Sequence, residues 1–216
     1  MQKLIVLAAL TMCAVYATPA SAQTCLGRAP FDDAPWQARV ESGSSRDVRS
    51  FGLSAYRGAS ALFGGVSADL DGYSTLSETA VAVGATVGFD RPVRAISSRL
   101  HVCPIVTVQH QFGPNPVTAD ISANVVAYGA RAGIVAFENP SLQVVPMVGM
   151  EAQWERDTVT PAGASSVSGS NTFTVTRLGI GFVINKRTSL VPEVIQLFGT
   201  AASTTFRVNA VFGFGK

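Results

Sequence analysis

Past residue 22 the chain has no run approaching the roughly 18 consecutive apolar residues that a membrane-spanning helix needs. Yet 47% of its 216 residues are hydrophobic, so the apolar character must be spread in another pattern. Charged residues are sparse and nearly balanced in sign, with no basic run. That removes the electrostatic footprint of a nucleic-acid-binding protein. Histidine is limited to His101 and His110, and cysteine to Cys13, Cys25 and Cys103. Their spacing makes no recognisable zinc set. No phosphate-cradling glycine motif occurs, and helical periodicity is nowhere convincing. No cofactor is expected.

What is present begins with an export signature. Met1 to Ala22 carries one positive charge, Lys3, then an apolar run from Leu4 to about Tyr16, then "ATPASA". Ala20-Ser21-Ala22 has the small-residue pattern that precedes a signal-peptidase cut, which makes Gln23 the expected mature N-terminus. A lipoprotein anchor does not fit: Cys13 follows the large Met12, and Cys25 has no apolar run directly before it. Removing the signal leaves Cys25 and Cys103, which an oxidising compartment would allow to pair; two separate free thiols are the alternative.

Residues 23–35 form a polar, proline-marked lead. Beyond them, 36–216 reads as one domain of ten strands, over 36–43, 48–57, 60–70, 77–89, 96–111, 121–137, 142–156, 171–185, 189–198 and 203–214, with eight strands as the alternative. The connections alternate. "RGA", "DRPVRA", "ENPS" and "NKRT" are short, whereas "SGSSRD", "DLDGYSTLS", "FGPNPVTAD" and "RDTVTPAGASSVSGSN" are generally longer. Pro104, Pro146 and Pro192 fall inside strands. Each removes a ladder donor, so each is expected at a bulge or a rim.

Alternation gives every strand two faces. Leu142, Val144, Pro146, Val148, Met150, Ala152 and Trp154 share one, as do Leu178, Ile180, Phe182 and Ile184. The other face collects Arg39, Glu41, Arg99, Arg131, Glu151, Glu155, Arg177, Glu193 and Arg207. In a closed barrel with the oily face outward, these charges would fill a narrow interior and would have to pair. In a soluble barrel they would meet water instead. Trp36, Tyr56, Phe89, Phe137, Phe182 and Phe212 lie toward the short-turn ends of their strands, and Trp154, Tyr128 and Phe206 nearer the other. Two aromatic belts at membrane interfaces would have this spacing.

Signal, alternation and loop pattern together resemble the small outer-membrane β-barrel proteins of Gram-negative bacteria (the OmpA/OmpX/opacity-like group). The final strand "RVNAVFGF" is the most specific piece. Arg207 stands at the polar position and Phe212 and Phe214 at the aromatic pair of the segment that the barrel-assembly machinery reads, with Asn209 where glycine is usual. The resemblance implies a closed, antiparallel, up-and-down transmembrane β-barrel in the bacterial outer membrane. Its partners would be outer-membrane lipid, the assembly machinery and a surface ligand reached through the longer loops.

Enzymatic barrels of this architecture carry histidine-based sites. The deacylase-like His-x-Ser spacing is missing, since the histidine contexts here are "HVC" and "HQF". The protease-like alternative would draw on Asp69, Asp71 and His110, which otherwise read as solvated loop residues. "DLDGYS" lacks the further acidic ligands of a calcium loop and reads as a turn. His101 and Cys103 fall on the inward face. If Cys103 bonds Cys25, the lead must enter the barrel and partly plug it. The expectation is therefore a non-enzymatic structural or surface-interaction barrel, porin-like in architecture but plugged or very narrow inside. A soluble, secreted, lipocalin-like barrel for an apolar ligand is the runner-up, and a barrel enzyme the third reading.

Overall fold

A computed structural model describes residues 24–59, 61–74, 78–116, 118–199 and 202–215; the expected signal segment lies outside them. Ten long strands follow in order: β1 (Trp36–Ser44), β2 (Val48–Ala59), β3 (Leu62–Tyr73), β4 (Thr79–Phe89), β5 (Leu100–Phe112), β6 (Ala119–Ile134), β7 (Leu142–Pro161), β8 (Val167–Ile184), β9 (Thr188–Phe198) and β10 (Ser203–Phe214). Each pairs antiparallel with its neighbours in sequence. β1 closes on β10, from Trp36 opposite Phe214 to Ser44 opposite Phe206. Closure leaves no sheet edge around the barrel wall. Two further strands of two residues each, Arg91–Pro92 and Phe137–Glu138, extend the ladders of β5 and β7 at the end where the termini lie.

The expected faces are realised, with the oily one outside. Val66, Met150 and Leu178 are 62%, 62% and 61% exposed, whereas Glu41, Glu151 and Glu193 are 4%, 6% and 5% exposed. A soluble lipocalin-like barrel requires the reverse, so that alternative is not favoured. On the outer surface, Trp36, Phe137, Phe212 and Phe214 mark the termini end. Phe51, Phe112, Trp154, Phe198 and Phe206 mark the far end. Two expected band members behave differently. Tyr56 shares its parity with Gly52 and Ser54 and is buried inside, and Tyr128 sits midway along its strand.

The expected contrast in loop length is not realised. Connections at the far end span only 45–47, 74–78, 113–118, 162–166 and 199–202, while the longest, 90–99, lies at the termini end. The polar stretches read as long loops are largely strand. Asp69–Tyr73 completes β3, Arg156–Val159 pairs with β8, and Thr160 and Pro161 pair with β6. Backbone pairing beyond the rim needs no apolar face, so composition alone misplaced these boundaries. β7 and β8 consequently run to 20 and 18 residues.

The three prolines separate into two cases. At Pro146, Gly133 stands opposite Met147 and the next pair is Phe137 opposite Val144. Three residues, 134–136, therefore face two, 145–146, which is a bulge. At Pro104 the β4–β5 ladder lapses between Gly88–Ile105 and Arg91–Val102 with no change of register. At Pro192 the β8–β9 ladder lapses between Gly179–Glu193 and Phe182–Leu190, again in register. A missing N–H thus costs local bonds at Pro104 and Pro192 without offsetting either strand.

Candidate functional site

Among the described residues, the paired charges converge in the lumen, whose floor is the lead. Thr24–Leu26 form one 3-10 turn, and the residues up to Phe31 are buried inside the barrel. Cys25 is disulfide-bonded to Cys103 on β5, which joins the lead to the wall. The lead then crosses the lumen. The Ala29 N–H donates to Ser189 Oγ on β9 at 3.0 Å, and Gln37 Nε2 donates to the Ala29 carbonyl at 2.7 Å. Phe31 packs toward Phe63 with ring centroids 6.2 Å apart. Leu26, Phe31, Tyr56, Phe63 and Ile105 form one buried apolar cluster around the disulfide.

The wall makes room for this crossing with glycines on inward positions. A Cβ at Gly181 would overlap the backbone of Gly27, and one at Gly58 would overlap the Phe31 ring. Gly27 itself has φ +63°, a conformation that favours glycine. Glycines that look scattered in sequence thus mark the track of the lead along the wall.

Next to the disulfide, Asp90 and His101 form a buried pair, with His101 Nδ1 at 2.7 Å from Asp90 Oδ1. Burial raises the Asp90 carboxyl above its ordinary value, while its bond to His101 acts in the opposite direction. Asp90 also approaches both cysteine sulfurs. Those sulfurs are bonded to one another and are not thiolate ligands.

Beyond the plug stands a girdle of paired charges. Glu151 accepts from Arg131 Nε at 2.8 Å and from Arg177 Nε at 3.1 Å and Nη2 at 3.3 Å. Glu41 pairs with Arg39 at 3.0 Å and with Arg207 at 3.2 Å. Glu193 faces the same space, within electrostatic reach of Arg28, Arg39, Arg131 and Arg177. Two guanidinium groups lie over the Tyr56 ring, Arg28 at 4.6 Å and Arg39 at 5.4 Å from its centroid. Ion pairs of this kind satisfy charges that the narrow interior cannot hydrate freely. The girdle residues themselves line a cavity of about 240 Å³, together with Asp69, Asp71, Thr107, Gln109 and Gln153.

Seven of the nine charges expected inside meet in this girdle. Arg99 does not. The loop closes where Val93 N–H donates to the Leu100 carbonyl, before β5 begins, and this leaves Arg99 exposed on the turn. Glu155 faces inward but lies farther along β7, beside Gln153 and Asp157 and away from the arginines. Three lumen residues were not expected there. Asp69 and Asp71 share the inward parity of Phe63 and Ser67, which the sequence did contain; Gln109 Nε2 donates to Asp69 at 3.0 Å. Arg28 had no comparable signal, because the lead has no alternation to read. His110 points outward, with Nδ1 2.9 Å from Asn124 Oδ1. The barrel wall therefore separates it from Asp69 and Asp71, and the three do not assemble into one site. On the last strand, Arg207 joins the girdle and Asn209 Nδ2 donates to the Val191 carbonyl at 3.2 Å. Phe212 and Phe214 face outward.

This architecture is that of the outer-membrane β-barrels of Gram-negative bacteria, a resemblance that now rests on closure, strand order and face orientation. No family model matches the sequence, and no curated protein matches it. Among solved structures, the β domain of the Bordetella autotransporter BrkA is similar at TM-score 0.50 and 12% identity, over 84% of this chain and 99% of that one. Neisserial surface protein A has TM-score 0.42 and 13% identity, over 83% and 94%. Ail of Yersinia pestis, in complex with the heparin analogue sucrose octasulfate, has TM-score 0.43 and 10% identity, over 83% and 98%. At such identities the likeness concerns the fold alone.

Proposed function

We propose that the chain is exported by its segment 1–22 and inserted into the bacterial outer membrane, with the final strand read by the assembly machinery. There it serves as a plugged, non-enzymatic barrel with a structural and surface-contact role. The observation that carries this reading is the inversion of faces: branched and aromatic side chains cover the outside, while Arg–Glu pairs fill the inside. In water that exterior would be a very large exposed apolar surface; in lipid it is the favourable one. An even strand number returns both ends of the barrel to one side, which is then the periplasmic side.

The surface role is supported by the ribbon that β6, β7 and β8 raise at the far end. The described β8–β9 ladder ends at Thr174 opposite Phe198, and among the described residues Val167–Phe173 pairs only with β7. The part of this ribbon that extends past the rim offers a strand edge as a contact surface. Non-enzymatic function is supported by the separation of His110 from the two aspartates. Fractionation and electrophoresis test the placement. The expected result is an outer-membrane band that migrates differently in SDS before and after heating. A fully soluble periplasmic protein with a single mobility would overturn it.

A further inference from the structure

The outer wall between β3 and β8 carries a feature that the plugged-barrel role does not use. Pairing lets its rows be read across the strands. In one row, Ala85 lies opposite Val66 on one side and Val108 on the other, and Val108 lies opposite Val126. Ala85 is small among valines, so a shallow apolar trough runs over it, lined by Val66, Val83, Val108 and Val126. In the next row toward the far end the character changes. His110 lies opposite Asn124, Asn124 opposite Arg156, and Arg156 opposite Ser170. His110 and Asn124 close the end of the trough.

Asn124 and Arg156 in that polar row are exposed on the outer surface. With His110 Nδ1–H donating to Asn124 Oδ1, the Asn124 amide NH₂ keeps both of its donors. The His110 ring meets Phe112 edge-on, 4.3 Å between centroids, which fixes its plane. Arg156 is exposed and makes no ion pair among the described residues. Its sequence neighbours Glu155 and Asp157 have the opposite strand parity and face the lumen, so they do not neutralise it from this side. Trp154, one outward position nearer the barrel centre on the same strand, belongs to the far-end aromatic band.

We infer that this wall holds one anionic, phosphate-bearing lipid of the outer leaflet, with an acyl chain in the valine trough and the phosphate against Arg156 and the Asn124 amide that His110 orients. The inference rests on the membrane placement proposed above. A guanidinium supplies a delocalised charge and forked donors for phosphate oxygens, and the amide adds neutral donors. Apolar trough and cationic cap occur in the order that an amphiphile presents them. Arg49 also lies at the far rim, facing outward on β2, and does not line the trough, which makes it a matched control.

Trp154 can report occupancy. The chain has two tryptophans, so Trp36→Phe leaves it alone. The protein is reconstituted into phosphatidylcholine vesicles in which a minor component has brominated acyl chains, either phosphatidic acid or phosphatidylcholine at the same fraction. Brominated phosphatidic acid should be enriched at Trp154 by about fivefold, the gain expected for one cation at a lipid surface. Arg156→Gln should abolish that enrichment, Arg156→Lys should retain most of it, and Arg49→Gln should leave it unchanged. Equal quenching by both lipids, or an enrichment that survives Arg156→Gln, would overturn the lipid site while leaving the membrane placement intact. Quenching by neither lipid would overturn both.

Discussion

Glu151 is the residue on which the girdle depends most. One carboxylate neutralises two guanidiniums, from Arg131 on β6 and Arg177 on β8, and thereby ties together the three strands around β7. All three side chains are largely buried. Glu151→Gln keeps the shape and removes the charge, leaving both arginines uncompensated in a narrow space. Breaking a buried pair from one side typically costs about 3–5 kcal/mol. The expected outcome is a urea unfolding midpoint, in micelles or vesicles, lowered to match a loss of about 3 kcal/mol. An unchanged midpoint would mean that water reaches the girdle freely. Strand parity made Glu151, Arg131 and Arg177 legible from sequence, because alternation assigns a face without any knowledge of partners. It also contained the inward positions of Tyr56, Asp69 and Asp71. Those were obscured by turn-like composition in "DLDGYS" and by treating Tyr56 as one more belt aromatic. Arg99 failed for a different reason: parity means nothing once the strand has ended, and the loop closure at Val93–Leu100 decides that.

At the scale of elements, the lead is the piece whose behaviour follows from its contacts. It is held by a disulfide across a sequence separation of 78 residues, by the Ala29–Ser189 bond and by apolar packing of Leu26 and Phe31. Closing a loop of this length restricts the unfolded chain by about 4 kcal/mol in the chain-entropy account. Cys25→Ser with Cys103→Ser is therefore expected to lower unfolding stability by up to that amount. Two free thiols in unreduced mature protein, read by mass spectrometry, would contradict the bond itself. The sequence carried the two cysteines and the inward parity of Cys103, which together imply a lead drawn into the barrel if the bond forms. The track of the lead was not legible. It depends on inward glycines such as Gly58 and Gly181, which become informative only when the segment opposite them is known. The bulge at Pro146 and the in-register lapses at Pro104 and Pro192 share that limit, because proline announces a missing donor but not how the neighbouring strand responds.

For the whole molecule, occlusion and charge balance have separate consequences. Plug and girdle lie in series along one lumen, so the intact barrel should pass little current in a planar bilayer. The plug is attached to the wall by one covalent bond, a few polar contacts and the packing of Leu26 and Phe31, whereas the barrel closes independently of it through β1 and β10. Deleting residues 24–34 should therefore leave a heat-modifiable barrel and raise its conductance. The opened path would still run past Arg39, Arg131, Arg177 and Arg207, interleaved with Glu41, Glu151, Glu193, Asp69 and Asp71. A lumen lined by one sign of charge concentrates its counter-ion, while interleaved signs cancel over a Debye length of about 8 Å at physiological salt. The plug-deleted barrel is thus expected to show only weak preference between potassium and chloride, with a reversal potential near zero in a salt gradient. Strong selectivity of either sign would mean that the paired charges do not remain paired once the plug is gone.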